Sequence, residues 1–265
     1  MKAARQGALS TTLRLAGVTV LMLGLWQALV ALTDTPAFIL PGPLRVVEAL
    51  WTHHALITHH ALVTMTEVLI GLVMGASLGA ATAIVLAASR GARALLRPVL
   101  VFSQAVPVFA LAPILTLWFG YGLESKIAMA LLIIYFPVTS AFFDGLMRTP
   151  GEWLEMASVM GATPARVLTR IRIPAALPAL ASGLRLAAVY APIGAIIGEW
   201  VGASQGLGYL MLFANGRAMA DLMFAALVVL AFLTLVLHAV VDKAAHWLVE
   251  HQTQSPDSKV RRIVF

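Results

Sequence analysis

The chain of 265 residues is 60% hydrophobic and 11% charged, and its mean hydropathy is +0.91. Soluble domains carry about 25% charged residues, so the composition excludes a protein with a fully water-facing surface. Cysteine is absent, which excludes disulfides and cysteine-based metal or redox centres. The net charge of +6 is compatible with nucleic-acid binding. That function is rejected, because the basic residues cluster at the ends of long apolar segments.

Six apolar segments are long enough to cross a bilayer, which requires about 20 mostly apolar residues. They are residues 15–33, 62–88, 96–119, 127–146, 179–202 and 222–241. The sequence therefore predicts an all-α integral membrane protein with six transmembrane helices. The first segment is too long for a signal peptide and lacks a small-residue cleavage pattern, so we expect it to be retained.

The basic residues predict the orientation of these helices. Fourteen of the 18 Lys and Arg residues flank the segments on one side, and only Arg45, Lys126 and Arg217 lie on the other. The positive-inside rule then places both termini, residues 1–14 and 246–265, in the cytoplasm. The polar C-terminal tail is predicted to be disordered.

Residues 34–61 form the predicted extracytoplasmic segment that follows the first membrane helix. Pro41 and Pro43 favour a rigid, extended entry. Apolar residues then recur at helical spacing, at Leu44, Val47, Leu50 and Trp51. This pattern predicts a short interfacial helix on the outer face.

The cytoplasmic segment 149–174 contains signals for two short helices. Thr149 is the predicted N-cap of the first, with Glu152 completing a capping box. Gly161 is expected to end it in the left-handed conformation. Thr163 is predicted to cap a second helix, and Pro174 to end it before the next membrane helix begins after Pro178.

The first of these short helices carries one apolar stripe, formed by Trp153, Met156, Ala157 and Met160. A helical hairpin with an apolar stripe and a charged remainder is suited to docking against a partner protein. The alternative is an interfacial helix resting on lipid.

The same segment resembles the cytoplasmic loop of permease subunits in bacterial binding-protein-dependent ABC importers. That loop has the form EAA, three residues, Gly, nine residues, I-x-L-P. This chain matches the family's spacing with Glu155-Met156-Ala157, Gly161 and Ile171-Arg172-Ile173-Pro174. Met156 and Ile173 depart from the pattern by modest apolar changes. The resemblance implies that the loop docks into an ABC ATPase, with contact or coupling roles for Trp153, Glu155, Met156, Ala157, Met160, Gly161, Arg166 and Pro174.

The resemblance extends over nearly the whole chain. It implies a type I importer core of five helices over residues 62–245, with helix 15–33 as an addition seen in the permeases for nitrate, taurine, alkanesulfonates and thiamine pyrimidine precursors. The segments 103–123 and 198–211 are most similar to permeases for hydroxymethylpyrimidine-type precursors. Implied partners are an ATPase subunit, an extracytoplasmic solute-binding protein, a second copy of the chain and the lipid bilayer. No GxxxxGK[ST] motif occurs, so ATP hydrolysis is expected on a separate subunit, and neither enzymatic activity nor a cofactor or metal is expected here.

Polar and proline residues at membrane depth are candidates for the pathway or its gate. Prolines kink helices, and broken helices commonly line translocation cavities; packing-related kinks are the alternative. The candidates are Ser103, Gln104, Pro107, Tyr135, Tyr190 and Glu199. Glu199 is hypothesised to form an outer gate or a receptor-facing mouth, the alternative being a carboxylate satisfied by a backbone donor near the interface.

Three further patterns make separate predictions. Gly71, Gly75 and Gly79 mark a close-packing face, expected within the subunit. Arg185 is expected to snorkel to the cytoplasmic boundary. An ion-coupled secondary transporter, with Glu67 and Glu199 carrying protons, is the competing functional class, but such carriers show internal repeats that this sequence lacks.

Overall fold

The computed structural model describes residues 2–253, and in this range every regular element is a helix. The α-helices are α1 Lys2–Thr33, α2 Pro43–Thr52, α3 His54–Ala88, α4 Arg90–Ala105, α5 Val108–Phe119, α6 Leu123–Met147, α7 Gly151–Val159, α8 Pro164–Val167, α9 Ile173–Gly202, α10 Leu207–Gly216 and α11 Ala220–Thr253. A π-helical turn, Leu168–Arg172, joins α8 to α9. The all-α prediction is confirmed.

The chain divides into two compact units, of which the smaller contains α1 and α2 and the segment Leu210–Val229. The indole of Trp26 packs against the ring of Phe224, with centroids 5.8 Å apart. Helix α2 begins at Pro43, where a missing backbone N–H has no consequence for the helix. Its residues Val46 and Ala49 are buried, whereas the apolar side chain of Trp51 is 84% exposed. A helix therefore forms where the sequence predicted one.

The larger unit contains His60–Tyr209 and the chain after Val229, and its core lies where α6 packs between α3 and α9. A Cβ added at Gly71 of α3 would lie 2.5 Å from Ala130 Cβ of α6, and one added at Gly194 of α9 would lie 2.7 Å from Ala130 Cα. A Cβ at Gly79 would lie 2.9 Å from the carbonyl oxygen of Tyr135. The small-residue face of α3 thus packs within the subunit, as predicted.

We expect the substitution Gly71→Ala to lower the stability of the purified protein. The added methyl group overlaps Ala130 in a tightly packed interface, and overpacking of this kind costs about 1–3 kcal/mol. The thermal midpoint in detergent measures the effect. The double variant Gly71→Ala/Ala130→Gly should recover part of the loss, and Gly24→Ala, where nothing lies within 4 Å, should be neutral. A Gly71→Ala protein as stable as the original would contradict this packing.

The described helices do not reproduce the predicted count of six separate transmembrane helices exactly. Four described helices are long and apolar enough to cross a membrane, or five if α4 and α5 form one broken span. The predicted helix 96–119 divides at Val106 and Pro107, both of which adopt extended backbone, and the two halves are bent by 102°. The residue before a proline avoids the α conformation, which explains the break. In α1, residues Gly17–Thr33 form a shorter apolar helix.

Helix ends also differ from the predictions. Pro174 does not end the second short helix: it is the second residue of α9, and the backbone is helical without interruption from Pro164 to Gly202. Helix α10 was not predicted. Helix α11 continues to Thr253, so the first three residues of the tail 251–262 predicted to be disordered are helical. Residues 254–265 lie outside the described residues. Arg185 has a partner that was not predicted, because its Nε donates to Asp242 Oδ1 of α11 at 2.5 Å.

Candidate functional site

The turn between α7 and α8 is built by Gly161. Its φ of +72° is a left-handed conformation that glycine adopts without strain. The amide of Gly161 donates to Ser158 O at 3.0 Å, and that of Ala162 donates to Ala157 O at 2.9 Å. This pair of bonds is a Schellman motif, which satisfies the last carbonyl groups of α7. The predicted left-handed end at Gly161 is confirmed.

The predicted N-caps of the two short helices have different outcomes. Thr163 caps α8, because its Oγ1 accepts a hydrogen bond from the amide of Arg166 at 3.4 Å. Thr149 does not cap α7. Its Oγ1 donates to the carbonyl oxygen of Leu146 instead, and Pro150 occupies the N-cap position without a side-chain bond. The capping box with Glu152 is therefore wrong.

The predicted apolar stripe of α7 separates into an inner and an outer part. Ala157 is 5% exposed and faces the protein, whereas Trp153, Met156 and Met160 are 49%, 60% and 78% exposed. Val159, an apolar residue outside the predicted stripe, is 90% exposed. The outer part leaves large apolar side chains uncovered at the end of a polar hairpin, the pattern expected of a surface that meets another molecule.

Two of the predicted polar contacts of this hairpin point outward. Glu155 and Arg166 are exposed, and neither side chain makes an ion pair in the part of the chain that the structure describes. Glu155 therefore does not brace the hairpin through an ion pair. Both charges are available to a partner.

A groove of about 470 Å³ lies beside α7. Its lining residues are Trp153, Met156, Arg170, Ile171, Pro174, Ala175, Pro178 and Val249. Pro174 shapes it indirectly: since proline has no N–H, the preceding turn adopts π spacing, with the amide of Ile173 donating to Leu168 O. The π turn keeps α8 continuous with α9, so the hairpin is joined to a membrane helix without a flexible hinge.

The candidate pathway residues do not form one site. Ser103 and Tyr135 line a common apolar cavity of about 380 Å³, on the inner side of the α4–α5 bend. The hydroxyl of Tyr135 donates to Thr82 Oγ1 at 3.0 Å. Pro107 lies at the bend itself. Gln104 and Tyr190 are exposed and do not line that cavity.

A buried polar cluster joins α3, α6 and α9 through Glu67, Lys126 and Glu199. Lys126 Nζ lies 3.4 Å from Glu67 Oε1. Thr64 Oγ1 donates to Glu199 Oε1 at 2.6 Å and accepts from the amide of Leu207 at 2.7 Å. Both glutamates are 1% exposed and Lys126 is 6% exposed, so Lys126 offsets charge that water does not reach.

Glu199 holds the start of α10 in place. Its Oε2 accepts a hydrogen bond from the amide of Gly208 at 2.5 Å, as the alternative of a carboxylate satisfied by a backbone donor predicted. The amide of Gly206 donates to His60 Nδ1 at 3.0 Å. Gly206 has a φ of +109°, and a Cβ on Gly208 would lie 2.9 Å from Glu199 Oε2. Only glycines let this backbone approach the carboxylate so closely.

Sequence reasoning missed the partners of these glutamates. Lys126 was counted as a loop charge, whereas it is a buried residue of α6. The available signal was the pair Gly206 and Gly208 shortly after a glutamate in an apolar helix. Contacts between α3, α6 and α9 are distant in sequence and left no local pattern.

Comparison with known proteins places these features in a family context. The family "Binding-protein-dependent transport system inner membrane component" matches residues 63–253. A probable ABC transporter permease protein of Haemophilus influenzae is 51% identical over 225 residues, covering 85% of this chain and 92% of that protein. The riboflavin transport system permease protein RibX of Chloroflexus aurantiacus is 37% identical, covering 86% of each. The formylaminopyrimidine transport permease protein ThiX of Halalkalibacterium halodurans is 35% identical, covering 71% and 76%.

Solved structures support the fold. An inward-facing structure of the MetNI methionine ABC transporter matches with a TM-score of 0.59 and 20% identity, covering 75% of this chain and 97% of the matched chain. A second crystal form of that transporter matches with a TM-score of 0.55. At this identity the likeness concerns the fold alone.

Proposed function

Because the chain belongs to the family of binding-protein-dependent transport system inner membrane components, we propose that it is the membrane-spanning permease subunit of an ATP-driven importer. The observation that carries this proposal is the α7–α8 hairpin: exposed, closed by a left-handed glycine and joined to α9 without a break. The chain has no phosphate-binding loop of its own, so the energy for transport comes from a separate ATPase subunit.

The outer surface of the hairpin is the proposed docking site for that ATPase. Trp153, Met156 and Met160 supply the apolar contacts, with Glu155 and Arg166 as exposed charges beside them. Ala157 and Pro174 act from within, the first by packing the hairpin on the protein and the second by setting the π turn. Gly161 holds the two halves at a fixed angle.

The mechanism is alternating access. ATP-driven closure of the ATPase changes the contact free energy of the docked hairpin, and this difference shifts the permease between its two conformations. Since α8 continues into α9, a displacement of the hairpin tilts the membrane helix that carries Glu199 in its last turn. The carboxylate of Glu199 then carries the movement to α10 through its bond to Gly208.

The remaining partners follow from this assignment. A second copy of the chain completes the pathway, since the hairpin occurs once per chain and the ATPases of this family work as dimers. The positive-inside bias places both termini and the hairpin in the cytoplasm of a bacterial inner membrane. A solute-binding protein docks on the opposite face. The importer assignment leaves the ion-coupled alternative without support.

For the solute, we favour a thiamine pyrimidine precursor of the hydroxymethylpyrimidine type. The relatives at 35% and 37% identity are named for formylaminopyrimidine and riboflavin, both planar nitrogen heterocycles, whereas those named for aliphatic sulfonates and taurine are 29% and 27% identical. The cavity beside Ser103 and Tyr135 contains no cationic side chain among its lining residues, which suits a neutral ring better than a sulfonate. Riboflavin, taurine, alkanesulfonates and nitrate remain the alternatives.

Reconstitution with an ATPase and a binding protein tests the solute. We expect ATP hydrolysis and uptake in proteoliposomes to be stimulated by hydroxymethylpyrimidine-type compounds and not by taurine, alkanesulfonates or nitrate. Stimulation by a sulfonate alone would reject the heterocycle assignment while leaving the importer function in place.

Site-specific cross-linking tests the docking surface, because the chain contains no cysteine and a single introduced thiol is unique. Met160→Cys, at a position 78% exposed on the hairpin, should cross-link to the ATPase with a short bifunctional reagent. Leu44→Cys, at an 80% exposed position on α2, is the matched control and should give no ATPase adduct. Adducts from Leu44→Cys and none from Met160→Cys would place the ATPase on the wrong face for this proposal.

A further inference from the structure

Helix α4 differs from its neighbours because none of its residues is buried. It is bent by 102° from α5, so it does not prolong the direction of that helix. Large apolar side chains lie open along it, with Leu95 71%, Val99 58% and Phe102 70% exposed. Exposed apolar residues combined with arginines on one helix are typical of a segment lying in the membrane interface.

The arginines of α4 carry charge that no acidic side chain among residues 2–253 neutralises. No acidic residue occurs between Glu67 and Glu124. Arg93 is oriented by the end of α3: its Nε donates to Leu86 O at 3.1 Å and its Nη2 to Ala87 O at 3.3 Å. Those carbonyl groups position the guanidinium group but leave it charged.

Arg90 and Arg97 lie on the same face of α4 as Arg93. Neither side chain makes a hydrogen bond or an ion pair within the described part of the chain. Both are exposed. Together the three arginines form an exposed cationic cluster that is open to an anion from outside the protein.

The cluster opens onto a groove of about 830 Å³. Arg90, Arg93 and Arg97 line one end, and Pro98, Val101, Phe102 and Ala105 line the other. From Arg97 to Ala105 the helix rises about 12 Å, at 1.5 Å per residue. The groove is thus cationic at one end and apolar at the other. Its apolar part is about as long as a short run of methylene groups. No acidic side chain is among its lining residues.

We propose that this groove of α4 binds an anionic phospholipid. Its phosphate accepts hydrogen bonds from Arg90 and Arg97 beside the oriented Arg93, and an acyl chain covers Val101 and Phe102. A soluble phosphate ion would leave those apolar side chains uncovered. A zwitterionic headgroup would bring its own cation toward three arginines. The ligand therefore has to combine a net negative headgroup with a hydrocarbon chain.

Native mass spectrometry of the detergent-purified full chain tests the site, with phosphatidylglycerol and phosphatidylcholine as probes. We expect the first phosphatidylglycerol to bind at least about 20-fold more tightly than phosphatidylcholine. Each basic residue near an anionic lipid contributes about 1 kcal/mol, or about fivefold in affinity. The variant Arg90→Gln/Arg97→Gln should therefore weaken phosphatidylglycerol binding by about 20-fold and leave phosphatidylcholine unchanged.

The control variant Arg148→Gln/Lys243→Gln removes two exposed positive charges outside the groove and should retain the selectivity. Equal binding of the two lipids, or selectivity that survives in Arg90→Gln/Arg97→Gln, would overturn the proposal. Glycerol 3-phosphate distinguishes a lipid from a soluble anion. Displacement of phosphatidylglycerol at equimolar glycerol 3-phosphate would show a free-phosphate site and reject the lipid assignment, whereas retention of the lipid supports it.

Discussion

Replacing Lys126 by methionine should destabilise the protein more than any other single change at the polar cluster. The variant removes the positive charge 3.4 Å from Glu67 Oε1 and leaves a carboxylate that is 1% exposed without its partner. Breaking a buried ion pair in this way costs about 3–5 kcal/mol. At about 2–4 °C per kcal/mol for a chain of this size, the thermal midpoint in detergent should fall by about 10 °C.

The second substitution Glu67→Gln should reverse most of that loss. A neutral amide at position 67 no longer needs a cation beside it. Arg45→Met, which removes a cation from an exposed position on α2, is the control and should leave the midpoint unchanged. The ion pair would lose its assigned role if Lys126→Met melted like the original protein, or if Glu67→Gln failed to restore stability.

Placing valine at Gly161 should uncouple ATP hydrolysis from transport. Left-handed backbone costs an ordinary L-residue about 1–2 kcal/mol, and a β-branched side chain adapts to it least well. Nothing lies within 4 Å of the site, so the effect acts through the backbone and not through a clash. The turn between α7 and α8 opens, the docking residues lose their relative positions, and solute-stimulated ATPase activity in proteoliposomes should fall at least about tenfold.

Two matched variants separate this backbone effect from a general loss of the hairpin. Gly161→Asn should retain intermediate coupling, because asparagine tolerates left-handed backbone better than other residues. Gly151→Val, at a glycine of the same hairpin with open space around it and no positive φ, should couple normally. Membrane insertion should be unchanged in all three, and the thermal midpoint of Gly161→Val should fall by only about 2–8 °C, the amount that a cost of about 1–2 kcal/mol produces. Normal coupling in Gly161→Val would show that the left-handed turn does not transmit force.

The membrane character and the α7–α8 hairpin were predictable because each depends on residues close together in sequence. Apolar runs of about 20 residues are sufficient to predict membrane helices, and a glycine after an amphipathic stretch is sufficient to predict the left-handed end at Gly161. The helix of α2 and the packing face of Gly71, Gly75 and Gly79 were predictable for the same reason. Caps were less predictable, since Thr149 has an alternative acceptor in Leu146.

Helix continuity was decided by the context of each proline. Pro107 and Pro174 both lack an N–H, yet one breaks the helix by 102° and the other is absorbed by a π turn. Both side chains impose the same local restriction. Packing of the segments on either side determines whether a break or a π turn has the lower free energy. That packing cannot be predicted from the residues next to the proline.

The polar cluster depended entirely on the tertiary structure. The sequence shows that Glu67 and Glu199 are costly residues to place at membrane depth. It does not show that Glu67 pairs with Lys126 or that Glu199 holds Gly208. Hydrophobic length is a local property, so the sequence by itself determined that the chain is a helical membrane protein with a capped hairpin. Charge compensation is a pairwise property of distant segments, so only the approach of α3, α6 and α9 decided which buried groups satisfy one another.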